Sequence, residues 1–222
     1  TENTKNGDYS VPENKYGEEK PRTGSNYAGV SFYGSRGRMP RSYLTTKLLK
    51  PLEGEKEYCM KFHVSLSDKS KYAANNLGMY ISTDEVAETN EKNMSLTPQI
   101  MSITNEAFEK QFLWTAICGT YTAKGGEEYI VIGNFFPDDQ TKLETMRLSR
   151  EFTGRQEYNA YYFIDDVSVI PTEKLSKKDC ACDDIAGGTM AVEFKKFGKD
   201  KDSKVVGSNT TFVNSDGSKA EE

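Results

Sequence analysis

The stretch Tyr58–Leu66, YCMKFHVSL, alternates between large apolar and small or polar residues. Tyr58, Met60, Phe62, Val64 and Leu66 fall on one side; Cys59, Lys61, His63 and Ser65 fall on the other. Successive side chains of a strand point to opposite faces, so this pattern demands an extended chain packed on one side only. A helix cannot collect these residues on one face, because its period is about 3.6. Further segments of β type recur along the chain between turn residues: Tyr27–Tyr33, Ser42–Lys50, Leu77–Ser82, Pro98–Ile103, Phe112–Ala123, Glu127–Phe136 and Tyr161–Ile170. Lys124-Gly125-Gly126 is a tight-turn signal between two of them. One helix is expected over Thr141–Phe152, where Leu143, Met146 and Arg150 share a face. About eight strands and one short helix predict an all-β chain, a β-sandwich or jelly roll.

This β domain is expected over residues 27–172. Residues 1–26 are polar and rich in Asn, Lys, Gly and Pro, and read as an N-terminal arm or loop with little to bury. Residues 173–222 read as a flexible connector towards a further domain, with TMAVEF as one more short strand. The opening TENTKNGDYS has neither a basic nor an apolar leader segment, so any export signal is expected to have been removed or never to have been in this chain. No run of 18 apolar residues occurs, so no membrane-spanning helix is expected. The balance of 29 basic against 34 acidic residues argues against a nucleic-acid partner, whose phosphates need a basic surface.

Catalysis finds little support. The one histidine, His63, lies on the polar side of its strand and reads as solvated or hydrogen-bonded. Asp165 and Asp166 are neighbours on a predicted strand, so alternation sends them to opposite faces and separates them as a glycosidase pair. Glu127 or Glu128 would have to supply the second carboxylate, and a glycoside hydrolase is the least favoured reading. Asp165 shares its side with Phe163, Val167 and Val169 and is expected to face inward. A buried carboxylate needs compensation, either a structural calcium or backbone N–H groups and a nearby Lys or Arg. Trp114, Tyr33, Tyr158 and Tyr161 are candidates for an aromatic platform that stacks on sugars, with core or rim packing as the plainer role. Cys59, Cys118, Cys180 and Cys182 fit no zinc template and allow three disulfide pairings, or free thiols.

Four stretches taken together resemble a known family: Val11–Val30, with PRTG and YAG; Tyr43–Ser82, with PLEGEKEYC; Trp114–Phe135, WTAICGTYTAKGGEEYIVIGNF; and Tyr161–Val169, YYFIDDVSV. They are similar to the N-terminal jelly-roll module of OmpA-family cell-envelope proteins of Gram-negative bacteria. The resemblance covers about residues 9–170. It implies a non-catalytic, exported, carbohydrate-binding-module-like domain at the outer membrane, on its periplasmic face or the cell surface. It also implies that the last-strand aspartates, Asp165 and Asp166, help to hold calcium. The family's first strand is expected to be absent here, and peptidoglycan binding to belong to a domain outside this chain. The expected function is therefore a module that docks onto outer-membrane proteins or envelope glycan, with a calcium-stabilised lectin-like module as the alternative.

Overall fold

The computed structural model describes residues 11–35, 40–86, 94–102, 105–148, 154–175 and 192–193. The alternating stretch lies at its centre as β5 (Glu57–Leu66), flanked by β9 (Leu113–Thr122) and β12 (Asn159–Pro171). β3 (Ala28–Gly34) pairs with β12, and β13 (Val192–Glu193) pairs with β9, giving a five-stranded antiparallel sheet in the order β13-β9-β5-β12-β3. A second antiparallel sheet has the order β4-β10-β7-β8, from β4 (Leu44–Lys47), β7 (Gly78–Ser82), β8 (Ile100–Met101) and β10 (Tyr129–Gly133). The chain is an all-β sandwich, as the patterning predicts.

The inner faces of the two sheets bury Phe32, Met60, Phe62, Val64, Tyr162 and Ile164 from one side and Met79, Ile81, Ile130 and Ile132 from the other. A fully buried side chain of this kind contributes roughly 1.5–3 kcal/mol. Tyr162 is completely buried because its hydroxyl is satisfied: it accepts from Ala74 N at 2.8 Å and donates towards the Ala74 and Phe108 carbonyls at 3.1 and 2.9 Å.

Three expectations are corrected. Thr141–Phe152 supplies no helix among its described residues, 141–148; its start is β11 (Leu143–Thr145), paired with β6 (Tyr72–Ala74). Leu143 and Met146 still pack against the core, but from an extended chain whose ladder continues through Met146 N to Lys71 O at 2.9 Å. The tight turn read at Lys124–Gly126 stands between β9 and β10, which are not paired with each other. It carries the chain from one sheet to the other, because β9 and β10 belong to different sheets. Gly125 and Gly126 have φ of +103° and +90°, and the buried Glu127 carboxylate closes the turn by accepting from Lys124 N, Gly125 N and the Tyr121 hydroxyl.

The other two corrections concern the N-terminal segment. β5 is packed on both sides, since Cys59, His63 and Ser65 are buried as well as its apolar face. Part of that cover is the N-terminal segment itself, which is no loose arm over its described residues. Residues 11–26 form a strap with a small hairpin, β1 (Glu13–Asn14) and β2 (Gly17–Glu18). Gly17 turns the strap at φ +145°, and a Cβ there would lie 1.9 Å from Asp68 Oδ1. Of the connector, Thr172–Lys174 is a short 3-10 turn and Val192–Glu193 falls in TMAVEF as the strand β13; most of the rest lies outside the described residues.

Candidate functional site

The strap crosses the outer face of the five-stranded sheet and fixes what that face can do. Tyr16 stacks on Tyr161 with ring centroids 3.9 Å apart and planes 8° apart. Tyr27 meets Phe163 edge-on, and the indole N–H of Trp114 donates to the Lys20 carbonyl at 3.0 Å. Glu19 is buried, accepting from Ser65 Oγ and from Lys20 N. Burial, the largest cause, raises its pKa.

The expected sugar platform is therefore not assembled. Trp114 is 1% exposed and Tyr161 6%, both beneath the strap. Tyr33 packs edge-on against Tyr72, and Tyr158 alone of the four is well exposed. The physical reason is the strap, which occupies the face that sugar rings would need.

At the end of the strap, Arg22 and Thr23 meet Asp165 and Asp166. Alternation predicts opposite faces for the two carboxylates, and that expectation is overturned. The β12–β5 register slips by one residue between Asp165, opposite His63, and Ser168, opposite Lys61. Asp166 sits in this bulge at φ +48°, a left-handed conformation that Asp tolerates better than most residues. The bulge turns both carboxylates towards the strap. The side shared with Phe163 is the outer one, so Asp165 lies beneath the strap and not in the core. Asp165 Oδ2 accepts from Arg22 N at 2.7 Å and Thr23 N at 3.4 Å, and Oδ1 accepts from Asp166 N at 2.7 Å. Asp166 accepts from the Arg22 guanidinium and the Thr23 hydroxyl. These hydrogen bonds and Arg22 outweigh desolvation and hold the Asp166 pKa below its usual value. His63, opposite Asp165, is 8% exposed and its Nδ1 has no hydrogen-bond partner. Burial, and then the charge of Arg22, lowers its pKa to about 4, so the ring is neutral at pH 7.

This arrangement fastens the strap to the bulge. Neither of the other acids considered for hydrolysis is poised for it: Glu127 closes its turn and Glu128 pairs with Lys47 at 3.1 Å. Cys59 is disulfide-bonded and Cys118 is a buried thiol, which removes the Cys59–Cys118 pairing; Cys180 and Cys182 lie outside the described residues.

A second feature escaped the sequence reading. The β3–β12 ladder stops at Ala28 opposite Ile164, while β12 continues to Pro171. Among the described residues no strand lies on that side of residues 165–171. The opening is a groove of about 390 Å³ between β12 and the edge strand β4, lined chiefly by Leu44, Leu48, Leu49, Ile130, Val167 and Val169. Leu49 is fully exposed, and Val167 is 37% exposed. These are two of the three large apolar side chains that stand exposed among the described residues, and both fall in this groove. The one legible signal was Leu48-Leu49 between two lysines, an apolar pair in a stretch too polar to bury it.

No protein-family model and no curated protein matches the chain. Among solved structures it is similar to the K3 cleaved adhesin domain of Lys-gingipain from Porphyromonas gingivalis W83. The identity is 16% and the TM-score 0.33, over 67% of this chain and 80% of that one. A likeness of that size carries no argument about what this chain does.

Proposed function

We propose that this chain is a non-catalytic binding module of the cell envelope that accepts an extended polypeptide strand in the groove between β12 and β4. The observation that carries the reading is the edge of β12 beyond Ile164, which no strand covers among the described residues, beside an apolar groove. An inserted strand in line with β3 would take up those backbone groups and place alternate side chains against Leu48, Ile130 and Val169. Backbone groups along an open strand edge ask for another backbone. The groove has no aromatic side chain to stack on a sugar ring, and its polar members are Thr45, Thr46, Ser168 and Lys47, which favours a polypeptide over a glycan. Exposed Lys50 follows Leu49 in sequence and favours an acidic residue beside the inserted strand.

The envelope location rests on the sequence resemblance. The disulfide at Cys59 supports it, since such bonds persist in oxidising compartments. A strand donated by an outer-membrane partner is the form of docking this geometry suits.

Selection of the full chain against a random-peptide display library tests the reading. Selected peptides are expected to share alternating apolar positions. They are expected to lose roughly tenfold or more in affinity, about 1.4 kcal/mol, for the double variant Leu49→Lys and Val167→Lys. Both side chains are exposed, so the variant keeps its melting temperature. Peptides without alternation, unchanged affinity for the variant, or binding only to a glycan array would overturn the proposal.

A further inference from the structure

We infer that the guanidinium of Arg22 takes over the neutralising role expected of a calcium ion at Asp165 and Asp166, so that the strap is fastened by the chain's own cation. Calcium binds through about six to eight oxygen atoms whose lone pairs converge on the ion. At the bulge every carboxylate oxygen already accepts from a donor. Asp165 Oδ1 takes Asp166 N; Asp165 Oδ2 takes Arg22 N and Thr23 N; Asp166 Oδ1 takes the Thr23 hydroxyl; Asp166 Oδ2 takes the Arg22 guanidinium. An ion placed there would face N–H groups and a positive charge. The residues present therefore do not fit calcium. Among the described residues, no group of three or more His, Cys, Asp and Glu side chains gathers as a metal site.

The surroundings carry the same sign. Lys61 stands opposite Ser168 at the bulge, and Arg22 is the cation that closes on the two acids. The bulge itself has a reason in these terms. The one-residue slip brings Asp166 to the side of Asp165, and two carboxylates together hold one backbone N–H donor pair, one hydroxyl and one guanidinium. A regular strand would have offered the strap a single carboxylate.

Thermal melting of the full chain in calcium and in excess EDTA tests this, on the protein and on the variants Arg22→Gln and Arg22→Lys. The protein is expected to melt at the same temperature in both buffers. Arg22→Gln is expected to melt about 3–6 °C lower in both, and Arg22→Lys between the two, because it restores the charge without the planar fork. A drop of the unmodified protein in EDTA that added calcium reverses would overturn the inference. So would an Arg22→Gln variant that melts with the unmodified protein.

Discussion

Trp114→Ala is expected to lower the unfolding free energy by roughly 3–5 kcal/mol and to loosen the strap from the sheet. Trp114 is 1% exposed, sits in one cluster with Tyr16, Tyr161 and Phe163, and gives its indole N–H to the Lys20 carbonyl. Truncation leaves a cavity where the indole was and removes the donor that fixes the strap at Lys20. The strap also carries Lys15 and Arg22 ahead of Tyr16 and Thr23, so its release is readable by limited trypsin digestion, with early cleavage after Lys15 and Arg22; Lys20 precedes Pro21 and resists the enzyme. Trp114→Phe refills most of the volume without the hydrogen bond, and is expected to recover much of the stability while the strap still opens more readily. If Trp114→Ala unfolds at the same denaturant concentration as the unmodified protein, the strap does not depend on this face.

Acidification from pH 7 is expected to remove about 3 kcal/mol of stability through His63. Its folded pKa, about 4, lies below the ordinary histidine value of 6.5. The unfolded chain therefore binds the proton first. Stability from the neutral ring is fully present above about pH 6.5, falls as pH drops towards 4, and levels off below that. Arg22 and Lys61 face the ring and oppose its protonation, while Asp166 favours it. Two carboxylates act in the same experiment with known signs. Glu19 is raised, so it favours the fold at low pH and works against the His63 trend. Asp166 is lowered, so its contribution is lost at the acid end, as pH falls below the ordinary carboxylate value. Denaturation curves at pH 7.5, 6, 5 and 4 for the protein and for His63→Gln isolate the histidine. The difference between the two is expected to change by about 3 kcal/mol across that range, and a constant difference would contradict the account.

The two sheets were legible because their strands carry the pattern that burial on one side imposes. Tyr58–Leu66 and the apolar runs of β7, β10 and β12 needed no tertiary information. What was missed has a common cause, since it depends on contacts between segments distant in sequence. The strap is polar by composition, yet Tyr16, Asn14 and Glu19 are buried because they meet partners distant in sequence: Tyr161 stacks on Tyr16, Lys69 Nζ donates to the Asn14 carbonyl, and Ser65 Oγ donates to Glu19. The same cover turned the polar face of β5 into a second buried face. Thr141–Phe152 has helical spacing over its first residues, but Lys71 and Tyr72–Ala74 present an open edge there and tertiary pairing prevails over local pattern. The bulge at Asp166 defeated the face assignment, because alternation holds only while the register does not slip. Adjacent aspartates on a strand were themselves a warning, since Asp accepts positive φ and disfavours regular strands. The groove left only the Leu48-Leu49 pair as a signal, because it is defined by where β3 stops and most of the residues that line it look like ordinary strand residues.

Amide hydrogen exchange on the full chain, with and without a selected peptide at saturating concentration, tests the strand-accepting groove most directly. The proposal predicts that outward-facing amides of Val167–Ile170 exchange fast in the protein alone and become protected in the complex. Amides of the Trp114 face and of the strap should stay unchanged. A peptide that binds with no protection at Val167–Ile170, or with protection centred on the strap and Trp114, would contradict it.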